Sequence, residues 1–131
     1  MTLTSIQRLR LVRLCAGIQC TLAIAIGFFG SAIAIFSAAT ATGEPDDWSG
    51  LGVVLGAYAA VLGFGSAVLL FVLARRLEYP GSRRGLLVVE VLIAAGGLSH
   101  HLPIPLLLGG VLPAAVATVL LGVIEGAGSQ R

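Results

Sequence analysis

The sequence predicts an all-α integral membrane protein, a four-helix bundle of two transmembrane hairpins with both termini in the cytoplasm. Three observations carry that expectation. The 131-residue chain is 57% hydrophobic and only 11% charged, against about 25% charged in ordinary soluble domains. Residues 14–43, 48–74 and 102–124 contain no Asp, Glu, Lys or Arg, and each supplies the roughly 20 apolar residues that cross a hydrocarbon core of about 30 Å. Finally, every basic residue is an arginine, and four spans place all of them on one side.

The expected spans are 14–39, 50–74, 85–101 and 105–124 of a single membrane domain, 1–131. The first span follows Arg8, Arg10 and Arg13. This basic start, the apolar run and the small residues "ATA" at 39–41 imitate a cleavable secretory signal. The run exceeds the about 7 to 15 residues of a signal's apolar region, which favours an uncleaved span. Cys15 and Cys20 point about 140° apart on a helix and read as small packing residues. An acidic outer loop, 40–49, leads to the second span, and the cytoplasmic loop 75–84 carries Arg75, Arg76, Arg83 and Arg84. Its "YPG" reads as a turn. The third span is short, about 25 Å of helix, and is counted because three spans would strand an arginine cluster on the wrong side. Outer loop 102–104 follows, with Pro105 tolerated in the first turn of the fourth span. Pro113, beside Gly109 and Gly110, is expected to kink that span. The positive-inside rule puts both termini in the cytoplasm, with Trp48 and Tyr79 as interfacial anchors. The all-arginine, Ala/Gly/Leu/Val-rich composition suggests a GC-rich bacterial genome and hence the plasma (inner) membrane.

Small residues recur at spacings of three and four: Ala16, Cys20, Ala23, Gly27, Ser31, Ala34 and Ala38 in span one, and Gly52, Gly56, Ala60, Gly63, Ala67 and Ala74 in span two. Apolar helices in lipid gain no hydrophobic energy by touching, so close approach of small residues drives their association. These stripes mark helix seams, as do Ala94 and Gly97 in span three. Gly52 and Gly56 also form a GxxxG that suits either an intramolecular seam or a dimer face.

Glu90 is the chemical oddity. It shares a face of span three with Ala94, Gly97 and His101, and so points into the bundle. A charge at mid-membrane costs about 2.5 to 3.5 kcal/mol, which leaves two arrangements. Glu90 pairs with Arg13, Arg76, Arg83 or Arg84 as a structural anchor, or it handles a proton or cation with Gln19, at similar depth in span one, as its hydrogen-bond donor. The shared six-residue spacing of Arg13 to Gln19 and Arg84 to Glu90 also raises a duplicated hairpin. His100 and His101 lie on the outer face with Asp46 and Asp47, a set that suits a divalent metal. Nothing in their spacing demands one, so loop solvation is the preferred reading and no metal site is assigned. Tyr58 reads as a structural hydrogen-bonding residue.

Four short spans with one membrane glutamate resemble the small multidrug transporters in outline. In that family the essential glutamate lies in the first span among aromatic residues, whereas here the first span offers Gln19 and Glu90 lies in the third. The resemblance therefore covers architecture alone.

No nucleophile with a base, phosphate loop or zinc signature is present. The expectation is a non-catalytic protein without cofactor or nucleic-acid partner. It would serve as an accessory or scaffold subunit in the lipid bilayer, packing against a membrane-protein partner or against itself as a homo-oligomer. The alternatives are a small oligomeric proton- or cation-coupled transporter or channel using Glu90, and an outer-face metal or signal sensor.

Overall fold

The computed structural model describes residues 4–44, 47–98 and 103–128. Among these, every regular element is helical: α1 (Ser5–Ala39), α2 (Ser49–Arg75), α3 (Pro80–Leu98), α4 (Ile104–Leu106), a π-helical turn (Leu107–Val111) and α5 (Leu112–Gly128). Three runs, Ser5–Ala39, Ser49–Arg75 and Ile104–Ala127, are long and apolar enough to cross a membrane.

The third expected span, α3, is not among these. It starts at Pro80, so Arg83 and Arg84 join Glu90 within the helix. The "YPG" expected as a turn instead opens a helix, because proline at the first helical position has its φ already set and lacks only an N–H that would go unused. The Tyr79 carbonyl accepts the N–H groups of Ser82 at 3.1 Å and Arg83 at 3.2 Å. At the other end of the chain, α1 extends its apolar run back through the basic segment. A reciprocal cap starts it: Thr4 N–H donates to Gln7 Oε1 at 2.9 Å, and Gln7 N–H to Thr4 Oγ1 at 3.4 Å, satisfying donors that a helix start leaves open.

Between α1 and α2 the chain is organised by Asp47. Its carboxylate accepts N–H bonds from Ser49 at 2.8 Å, Thr42 at 2.6 Å and Gly43 at 3.2 Å. Gly43 has φ +74°, the left-handed conformation that glycine adopts without steric cost. Donation from Ser49 first, and then from Thr42 and Gly43, holds the Asp47 carboxyl below the usual carboxylate range. A depressed value means that the contribution of these bonds is present above the unfolded-state pKa and is lost only as pH falls through the lower folded one. The amide proton shifts of Thr42, Gly43 and Ser49 should therefore stay constant through about pH 4 and move below it. Shifts that titrate at the ordinary aspartate value would contradict this cluster.

The chain divides into two compact units. One, Ala23–Val68, is a hairpin of the later part of α1 and the earlier part of α2, and its seam is built from glycine. A Cβ added at Gly56 would stand 2.5 Å from the Ala34 nitrogen, and one at Gly63 would stand 2.5 Å from the Gly27 nitrogen. One at Gly30 would meet the Ala60 nitrogen at 2.6 Å, and one at Gly52 would overlap the Ser37 side chain. Gly52 and Gly56 thus serve an intramolecular seam. On α1 the stripe drifts from the expected Ser31 and Ala38 to Gly30 and Ser37. The Phe64 ring fills the space over Gly27 and stacks edge-on with Phe28 at 5.3 Å. Large apolar side chains such as Phe29, Phe36 and Val61 point outward, and Tyr58 is exposed. Ser31 and Ser66 return their hydroxyls to the carbonyls of Gly27 and Leu62 in their own helices, which satisfies them without water.

The other unit comprises the described residues of Met1–Leu22 and Leu69–Arg131. Its apolar centre is Val12, Leu70, Leu77, Leu86 and Leu121, all almost fully buried. Leu86→Ala should lower stability by about 2 kcal/mol, the low end for a buried leucine truncation, because contact in lipid carries packing but little transfer energy. Leu92→Ala, at an exposed position of the same helix, should change it little. Unfolding titrations in mixed detergent micelles would compare the two, and equal effects would refute this packing.

Candidate functional site

One turn beyond Leu86 on the same face of α3 lies Glu90, whose side chain is entirely buried. Gln19 of α1, also buried, donates from Nε2 to Glu90 Oε2 at 2.7 Å. The same nitrogen donates to the Gly110 carbonyl at 3.2 Å. Three separate helical segments thus converge on one buried polar point.

The Gly110 carbonyl lies within a local departure from α-helix. In a regular helix Pro113 has no N–H to give the Gly109 carbonyl. The chain widens there instead, and Leu112 N–H reaches back five residues to the Leu107 carbonyl. Such π turns recur at functional sites. Here one stands where a static kink was expected. The glycines also leave room for α1, since Leu22 lies beside both Gly109 and Gly110.

Three of the four arginines expected beside Glu90 pair elsewhere. Arg83 and Arg84 each reach Glu125 at 3.6 Å, and Arg13 reaches the exposed Glu78 at 3.7 Å. Among the described residues Glu90 forms no ion pair. The reason is spatial: the buried Leu86 lies between Arg83 and Glu90 along one face of α3, and Glu125 meets Arg83 and Arg84 from near the end of α5. Glu125, just past the apolar run of the fourth span, escaped the sequence reading for want of any local pattern.

Two oxygens of the site have no hydrogen-bond partner among the described residues, Glu90 Oε1 and Gln19 Oε1. Both Nε2 hydrogens of Gln19 are committed to Glu90 and Gly110, so the amide cannot offer another donor. A buried carboxylate with one neutral donor and no cation is several kcal/mol out of balance. Its charge needs a counter-ion, and a proton on the carboxyl or a small cation between oxygen ligands are the two species that fit an apolar, closed setting.

The other sequence-derived positions are less informative. Cys15 is buried, and neither it nor Cys20 is in a disulfide. Ala94 is half-buried on the Glu90 face. The side chains of Gly97, Asp46, His100 and His101 lie outside the described residues, and the carboxylate of Asp47 is committed to its own loop. No protein-family model matches the chain, and no curated protein or solved structure does.

Proposed function

We propose that this is a small integral membrane protein that carries protons or small cations, with Glu90 as the carrier group and Gln19 as the residue that orients it. The observation that supports it is a fully buried carboxyl with, among the described residues, an unpartnered oxygen and no ion pair to an arginine. In this reading α1, α2, α3 and the run from α4 to α5 all cross the membrane as two hairpins. The arginine-bearing ends face the cytoplasm by the positive-inside rule, and Trp48 and Tyr79 mark the two interfaces. α3 is short and bears charge, but it packs against α5 and contributes its arginines at the end that meets water. Oligomerisation would give a path to the site, since four helices of this size enclose little volume.

The accessory-subunit reading draws on the broad exposed apolar surface of Ala23–Val68, which a membrane partner could cover. The two separate in liposomes loaded with a pH-sensitive dye and poised with a potassium diffusion potential. A carrier moves protons faster than empty liposomes, and Glu90→Gln brings the rate to background. Equal rates for protein, variant and empty vesicles, for protons and for sodium ions followed with a sodium-sensitive dye, would sink the transport reading and leave the accessory one.

A further inference from the structure

The unit that contains Glu90 also carries a groove at its surface. Its space is about 580 Å³, bounded by the early part of α1 and the last turns of α2. At one end stand two guanidinium groups, Arg13 and Arg75. The walls running away from them are Ala16, Gly17, Cys20, Phe71 and Ala74. At Gly17 the wall carries no side chain, and a Cβ added there would meet no atom within 4 Å.

The arginines are only loosely engaged. Arg13 holds Glu78 at 3.7 Å with both side chains well exposed, and exposed pairs of this kind are weak. Arg75 lies over the Phe71 ring at 5.9 Å from its centroid, which fixes the guanidinium at the mouth without neutralising it. A polar anionic head and an apolar tail are thus both provided for, at the arginine-rich end of helices long and apolar enough to cross a membrane.

We propose that this groove binds one anionic glycerophospholipid, its phosphate between Arg13 and Arg75 and an acyl chain along Gly17 and Phe71. Guanidinium groups recognise phosphate through paired N–H donors, and basic pockets between membrane helices favour lipids of net negative charge. A zwitterionic lipid offers the same phosphate with its charge cancelled, and free phosphate lacks the chain that the apolar wall requires.

Native mass spectrometry of the full chain in a neutral detergent tests this, with phosphatidylglycerol, phosphatidylcholine of the same chains and inorganic phosphate as probes. The expected result is one retained phosphatidylglycerol per chain, with phosphatidylcholine retained less and phosphate unable to displace it. Arg13→Gln and Arg75→Gln should each weaken retention about fivefold. Gly17→Leu should abolish it by filling the groove, with the helical circular dichroism unchanged. Equal retention of both lipids, displacement by phosphate, or full retention by Gly17→Leu would each overturn the proposal. Should Gly17→Leu not fold, Arg75→Gln at its exposed position still decides, since unchanged retention there overturns it as well.

Discussion

Gln19→Leu should destabilise the protein by about 1–3 kcal/mol, the penalty for stripping a buried polar group of its partner. The substitution is close in size and sits on a helix that otherwise tolerates leucine, so loss of packing is not the cause. Glu90 Oε2 and the Gly110 carbonyl would both lose their donor at once. Adding Glu90→Leu should recover most of the loss, because replacing a buried polar pair by apolar side chains is often neutral or stabilising. Unfolding titrations of the two single variants and the double would give the coupling directly. Additive losses would mean that Gln19 and Glu90 do not share a site. The same double variant should be well folded and inactive in flux, which separates the stability of the site from its use.

The second large effect belongs to the glycine seam. Gly63→Ala and Gly56→Ala each place a methyl carbon 2.5 Å from a backbone nitrogen of the facing helix. Backbone cannot rotate away as a side chain can, so α1 and α2 must separate locally. Alanine would gain up to about 1 kcal/mol in helix propensity, against about 1–3 kcal/mol for overpacking and the loss of neighbouring contacts along the seam. The net change should be a loss. Gly65→Ala is the control, since a Cβ there meets nothing within 4 Å and only the propensity gain remains. Opposite signs for Gly63→Ala and Gly65→Ala, read in one detergent titration, are the expected outcome; equal shifts would rule out the close approach.

How much of this was legible in the sequence depended on whether the pattern was local. The seam residues Gly56 and Gly63 were readable because their spacing of seven returns them to one helix face. Gln19 and Glu90 were paired by depth alone, and their 2.7 Å contact follows from helix geometry. Other features were local yet overlooked. Thr4 and Gln7 carry the spacing of a reciprocal cap, and Pro80 is well suited to begin a helix. The arginine pairing was a different failure. Arg83 and Arg84 lie within two turns of Glu90 in sequence, but Leu86 stands between Arg83 and Glu90 on the helix face, and Glu125 is brought to the arginines only by the antiparallel run of α5. The π turn lay beyond reach for a similar reason. Pro113 signals a broken hydrogen-bond ladder, but whether a helix kinks or widens depends on what packs beside it, here Leu22 and the amide of Gln19.

In the proposed function Glu90 exchanges a proton or cation and is not locked in an ion pair. Infrared difference spectra of the protein in lipid, recorded as a function of pH, test it most directly. The predicted result is a protonated-carboxyl band whose intensity changes with pH and which is absent from Glu90→Gln. A carboxylate signature for Glu90 at every pH, unaffected by added cations, would mean a permanently paired anion and would contradict the account.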